Sequence, residues 1–339
     1  MNDAQLGELM RKLSERPGDF PSRNFVSNET SLLDVAPALR DGRLRGRAYV
    51  GVGPEQNLTY VGLSEPEIAY VVDIRRGNAL ELVFLRACME RGESRVQFVS
   101  ALTSRGVPRA LVDAQEPVTV QQIAEAFRGA KPEASLRDEA MASAQAWMER
   151  LGWIASAAEL AELRVIRDAF ATKGLELAYS MEGSARKYPS LGSLLALETD
   201  QGEAATFLGT EERYRRVRAF VIANRLVPVV GDFAGSHALK GVANDITERG
   251  LKLGVFYTSN VEQYLFEGNT YARFTSNVRA MPSDEASVVV RVWFDQGRRH
   301  PKQRSGHRTT TMVAPLGRFL ERAESGAYKT YWSVVTDST

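Results

Sequence analysis

An α/β fold with a mostly parallel sheet is predicted by three features of the sequence. Residues 48–74 run apolar strand, glycine turn, short helix, apolar strand. Residues 95–225 carry helical periodicity almost throughout, and strand and helix patterns alternate again from residue 226. Strands separated by helices signify parallel pairing, because parallel neighbours need a crossover connection. With 339 residues, 44% of them hydrophobic, the chain can bury a large core; at this size folding removes about three quarters of the surface from water.

Each element follows from local pattern. Leu6, Leu9, Met10 and Leu13 recur at helical spacing before Pro17, predicting an amphipathic helix that leads into the irregular segment FPSRNFVSNETS, a lid or a connector. RAYVGVG is a strand, PEQNLTYVGL a short helix and EIAYVVDI a second strand. In RRGNALELVFLRACMERG, Leu80, Val83, Phe84 and Ala87 form a buried stripe, and Asn78 and Glu81 have capping-box spacing. Three further stripes follow: Val120, Ile123, Ala124 and Phe127; Leu160, Leu163, Ile166 and Phe170; Tyr214, Val217, Phe220 and Val221. That stretch is too long for a single crossover and reads as a helical insertion or cap.

LVPVVGDFAG then predicts a strand ending at Asp232, followed by a helix with Ala238, Leu239, Val242, Ala243 and Ile246 inward. KLGVFYTSN is a strand and VEQYLF begins a helix. SVVVRVWF and YKTYWSVV read as closing strands, antiparallel because no long helix precedes the first. The expected organisation is an N-terminal helix and lid-like segment (1–47), a Rossmann-like cofactor-binding domain (48–94 and 225–339) and a helical insertion (95–224).

Charge and cysteine content narrow the function. Lys and Arg total 43 against 42 Asp and Glu, so no bulk attraction to nucleic acid is expected. The basic runs DGRLRGR and DQGRRHPKQR read as solvated loops. Cys88 is the only cysteine, which leaves neither a disulfide framework nor a cysteine zinc site, and it lies on an apolar stripe as inert core. The first residues lack the apolar run of a signal peptide, and no stretch reaches the length of a membrane span. A cytoplasmic protein with a small-molecule substrate and no membrane partner is expected; oligomeric state is not legible. His237, His300 and His307 lack metal-ligand spacing, and no G-x-S-x-G elbow is present.

Gly51 and Gly53 match the first two positions of a dinucleotide-binding turn, but Gln56 stands at the third, and Pro54 removes one N–H from the loop that would face phosphates. A cofactor without phosphates does not need those amides. It still benefits from a glycine turn that admits its adenosine and from a carboxylate that accepts from the ribose hydroxyls. Asp73, 22 positions after Gly51 at the end of the next strand, suits that role.

Strand, GVGPEQN, helix, strand and Asp73 resemble the cofactor-binding half of class I S-adenosylmethionine methyltransferases, with a glycine-rich first motif and an acid ending the second strand. VVGDFAG resembles their later acidic motif. Taken together, FPSRNFVSNET, GVGPEQN, DIRR, VVGDFAG and FYTSNVEQYLF are similar to a bacterial family described only as methyltransferase-like. The resemblance implies S-adenosylmethionine bound by Gly51, Gly53, Pro54, Glu55, Gln56 and Asn57, by Asp73, Ile74 and Arg75, and by Asp232, Phe233 and Asn260.

Several roles stay open. Glu55, Gln56 and Asn57 either cap a helix or meet the cofactor's amino-acid end, whose ammonium would suit Glu55. Asp232 is a cap or a group near the adenine or the reacting centre. Asn260 pairs with Gln263 as a capping box or faces ligand. Tyr257, by cation–π attraction or through its hydroxyl, and His237, as a base, are the remaining catalytic candidates. Gly-x-Gly-Pro turns also resemble nicotianamine-synthase-like enzymes, which transfer the aminobutyrate arm. An NAD(P)-dependent oxidoreductase, with Arg75 and Arg76 on a 2′-phosphate, and a non-catalytic ligand-binding module complete the alternatives.

Overall fold

The computed structural model describes residues 1–337 apart from 21, 24, 115–116 and 181–185. Pro21 and Asn24 of the lid-like segment therefore lie outside the described residues. Among the described residues six strands form one sheet: β1 (Ala48–Gly51), β2 (Ile68–Asp73), β3 (Leu226–Val230), β4 (Leu253–Ser259), β5 (Val288–Phe294) and β6 (Thr309–Pro315). Their order is β3-β2-β1-β4-β5-β6. β1 to β5 are parallel and β6 runs antiparallel to β5. The central strands are apolar and buried nearly end to end, as strands covered on both faces must be.

Two tyrosines define those faces. Tyr49 on β1 pairs in register with Ala69, and Val50 pairs with Tyr70, so Tyr49 and Tyr70 project from opposite sides of the sheet. Tyr49 meets Asn57 on the helix Gln56–Ser64, whereas Tyr70 meets Asp245 on the helix Ala238–Glu248. The chain thus lays helices on one face while it builds outward through β2 and β3, then crosses to the other face to place β4 beside β1. That reversal is the topological switch point, where open α/β sheets admit ligands at the carboxyl ends of their strands.

Between β2 and β3 the chain is helical. The crossover helix Arg76–Arg91 is a hub against which Arg95–Thr103, Ala134–Arg150, Ala157–Lys173 and Glu211–Ile222 pack. Phe84 stacks on Phe170 at 6.0 Å across that contact. On the other side, the helix Asp3–Leu13 lies against β3 and Ala238–Glu248. Among the described residues no helix is long and apolar enough to cross a membrane.

Four expectations are corrected. SVVVRVWF is parallel to β4, because two short helices, Val261–Glu267 and Tyr271–Arg279, together supply the crossover. YKTYWSVV leads into the helix Tyr331–Asp337, at whose start the Ser333 amide donates to the Thr330 hydroxyl at 3.3 Å and the Thr330 amide donates to the Ser333 hydroxyl at 3.2 Å. The antiparallel closing strand is instead Thr309–Pro315. Asn78 and Glu81 form no capping box: their helix begins at Arg76, so both lie inside it, buried. β3 stops at Val230, which leaves Asp232 in the following loop.

Candidate functional site

A cleft of about 210 Å³ opens at the carboxyl ends of β1 to β4. Each strand sends one loop to its wall: Val52, Gly53 and Pro54 after β1; Asp73, Ile74 and Arg75 at the end of β2; Gly231, Asp232 and Phe233 after β3; Ser259, Asn260 and Val261 at the end of β4. Gln56 lines it from the helix start. Val26, Ser27, Asn28 and Glu29 of the lid-like segment close one side, and Phe20, Tyr179, Arg186, Tyr188 and Tyr264 surround the outer part.

The turn after β1 is built by residues that do not reach the cleft. A Cβ on Gly51 would come within 2.1 Å of Asn57 Oδ1, so the strand can approach the helix only with glycine there. Asn57 accepts from the Tyr49 hydroxyl at 2.8 Å and donates its amide to the carbonyls of Val52, Gly53 and Pro54 at 2.8–3.0 Å. Gly53 has φ +82°, the left-handed region that glycine tolerates. Glu55 is buried and turns away, both oxygens accepting from the Ser27 amide at 3.1 Å. Burial pushes its carboxyl up to about 7. Gly51, Glu55 and Asn57 thus shape the loop and anchor the lid-like segment, in place of the ligand contacts expected of them.

Asp73 lines the cleft and accepts from the Arg75 amide at 2.8 Å and from its guanidinium Nε at 3.3 Å. The guanidinium also donates to the Ser22 carbonyl at 3.4 Å. Arg76 points elsewhere: it pairs with Glu159 and lies 4.1 Å over the Trp153 ring. Asp232 accepts from the Ala234 amide at 2.9 Å, and its own amide donates to Glu15 at 2.8 Å. Phe233 is buried among Phe256 and Phe274, with ring centroids at 5.2 and 6.0 Å. Asn260 lines the cleft, while Gln263 turns to Glu267 at 3.2 Å, so the expected capping box does not form.

Two catalytic candidates lie off the surface of the cleft. His237 is exposed, and its Nε2 bonds to the Lys12 carbonyl at 2.7 Å, outside the walls named above. Tyr257 is fully buried behind the wall, edge-on to Tyr60 at 4.8 Å. Its hydroxyl donates to Glu29 at 2.5 Å and accepts from Gln56 Nε2 at 3.1 Å.

Glu29 is the functional group that sequence reasoning missed. Only 2% exposed, it lines the cleft and accepts through Oε1 from Tyr257 and, at 2.6 Å, from the Ser259 hydroxyl. Its Oε2 and the Oε1 of Gln56 have no hydrogen-bond partner among the described residues. Burial pushes the Glu29 carboxyl up to about 7, against the lowering effect of the two hydroxyl donors. The one signal in the sequence was a lone acid within FVSNETS, a segment with neither helical nor strand period.

Residues 24–169 and 183–337 match the family described as a domain of unknown function, DUF7790. The chain belongs to this family. No curated protein matches it in sequence. The family's span takes in the cleft residues from Val26 onward except Tyr179, and includes the lid-like segment that carries Glu29.

Proposed function

We propose that the protein is an S-adenosylmethionine-dependent transferase, a methyltransferase of class I type acting on a small molecule. The observation that carries this reading is the convergence of Gly53, Asp73, Asp232 and Asn260, from four separate strand ends, on one cleft at the switch point. The residues present fit the group. Asp73 offers ribose hydroxyls a carboxylate already fixed by Arg75, and the Asp232–Phe233 loop offers an adenine the apolar Phe233 side chain in the cleft wall. The Gly53–Pro54 turn admits a ligand backbone-close, while Pro54 withholds one of the amides a diphosphate would use.

S-adenosylmethionine would supply an electrophilic methyl group. The chain's part would be to hold an acceptor in line with it at about 3 to 3.5 Å and to exclude water, which requires little acid or base strength. The NAD(P) alternative is disfavoured by the arginines: Arg75 is engaged by Asp73 and Arg76 by Glu159 and Trp153, so neither is presented to a 2′-phosphate.

Isothermal titration with S-adenosylmethionine, S-adenosylhomocysteine and NADPH tests the reading. Binding of the first two, weakened in Asp73→Ala by about 1.5–3 kcal/mol for lost bonds to a charged acceptor, is expected. Binding of NADPH alone, or unchanged S-adenosylhomocysteine affinity in a folded Asp73→Ala, would overturn it.

A further inference from the structure

The deep end of the cleft has a hydrogen-bonding direction fixed by the protein. An ionised Glu29 can only accept, so the Tyr257 hydroxyl must donate to it, and the tyrosine oxygen is left to accept from the Gln56 amide nitrogen. This relay leaves the buried Gln56 carbonyl oxygen without a donor among the described residues. Two acceptors, Glu29 Oε2 and Gln56 Oε1, therefore stand unpartnered among the described residues in a wall where both side chains are more than nine-tenths buried. Buried acceptors without donors are costly. A ligand group carrying at least two N–H bonds and positive charge would satisfy both.

Their place along the sheet edge says which part of the ligand they meet. In strand order the cleft presents the Asp232 loop of β3, Asp73 of β2, the Gly53 turn of β1 and Ser259 of β4. Glu29 is tied to the β4 end through Tyr257 and Ser259. A nucleoside whose sugar lies on Asp73 sends its sulfur arm across the β1 turn towards that end.

We propose that Glu29 and Gln56 form the acceptor subsite for an aliphatic amine, which Glu29 deprotonates for methylation. This rests on the S-adenosylmethionine reading above. The amine's ammonium gives one proton to the Glu29 carboxylate. Its nitrogen lone pair then forms the N–C bond to the methyl carbon as the S–C bond breaks, and that electron pair returns to sulfur. The products are a methylammonium, S-adenosylhomocysteine and a protonated Glu29, which returns its proton to water. A carboxyl that burial holds near neutrality suits this exchange.

The test compares two ligands by titration calorimetry at pH 8: S-adenosylhomocysteine, and sinefungin, in which a carbon-borne amine occupies the position of the methylsulfonium. The wild-type chain is expected to bind sinefungin more tightly, and Glu29→Gln to lose at least about tenfold of that advantage, the worth of one charged hydrogen bond. Its S-adenosylhomocysteine affinity should stay within about threefold. Equal weakening of both ligands would place Glu29 on the amino-acid ammonium they share and overturn the acceptor assignment alone, as would a sinefungin preference that survives Glu29→Gln. Failure of both ligands to bind the wild-type chain would overturn the cofactor reading and this inference with it.

Discussion

The Tyr257 hydroxyl donates to Glu29 across 2.5 Å, with Tyr257 fully buried and Glu29 nearly so at the cleft wall. The tyrosine is held well above its ordinary value, first by burial and then by the Glu29 charge, so it stays a donor throughout the range in which Glu29 titrates. Glu29 is the ionisable member of the pair. The hydroxyls of Tyr49, Tyr60 and Tyr331 and the carboxyl of Glu55 also feel its charge.

That relationship makes stability depend on pH in a set direction. Burial raises Glu29 from 4.5 in the unfolded chain to about 7 in the folded one. The folded chain therefore binds more protons between those values, and stability falls as pH rises through this window. At about 1.4 kcal/mol per pH unit, full ionisation costs about 3 kcal/mol. Glu29→Gln keeps an oxygen for Tyr257 and Ser259 and cannot ionise. Denaturant melts should show it more stable than the wild-type chain by up to that amount at pH 8, with the gap closing towards pH 4.5. A gap independent of pH would mean that Glu29 is not raised.

Gly51 and Asn57 should be coupled. Gly51→Ala alone drives a methyl into Asn57 Oδ1 and breaks the bonds that hold the turn, at a cost of about 2–4 kcal/mol. Asn57→Ala forfeits those bonds but removes the nearest obstacle, leaving the Tyr49 hydroxyl and ring at 2.6 and 2.7 Å from the added methyl. The double variant should then be less destabilised than the sum of the singles by at least about 1 kcal/mol, measured by a double-mutant cycle. Additive losses would show that Gly51 is needed for some reason other than Asn57.

Most of the strand ends were legible because each is a local pattern: an apolar run, then glycine or an acid. Gly53, Asp73, Asp232 and Asn260 reach the cleft from such signals. Glu29 was not legible, because an irregular segment brings it to the sheet edge and only Tyr257 and Ser259, more than two hundred residues away, give it a role. His237 was misplaced for the converse reason: nearness to Asp232 in sequence does not fix direction, and its ring faces Lys12. Around Tyr331 the aromatic and β-branched residues imitate a strand, and the side-chain bonds of Thr330 and Ser333 decide for a helix. The class of reaction was not legible in the sequence because it depends on what the cleft holds, a property no local pattern encodes.

The β4–β5 side of the fold contains a buried ion pair, Arg291 with Glu262, both side chains essentially inaccessible. Tyr271 and Thr258 also donate to that carboxylate. Glu262→Ala should cost about 3–5 kcal/mol, since it removes the carboxylate that neutralises a buried guanidinium, while Glu262→Leu with Arg291→Met should cost far less. Chemical denaturation of the single and double variants checks this. Equal losses would show that the pair itself stabilises the fold.

The last expectation concerns a residue outside the cleft that positions part of it. Glu15, just beyond the N-terminal helix, accepts from the Asp232 amide through Oε1 at 2.8 Å and from the Ala238 amide through Oε2 at 3.4 Å. A Cβ on Gly235 would lie 2.3 Å from the same carboxylate, so the loop wraps closely around it. Glu15 therefore clamps the loop that carries Asp232 and Phe233, and it does so from a segment whose neighbour Ser14 accepts from the Val230 amide. Glu15→Ala should free the loop, raising amide exchange over residues 231–238 and weakening S-adenosylhomocysteine by about tenfold, since losing preorganisation costs affinity without removing a contact. Glu15→Gln keeps one acceptor and should fall between. Faster exchange with unchanged affinity would mean that the β3 loop does not contribute to binding, and would remove Asp232 and Phe233 from the proposed site.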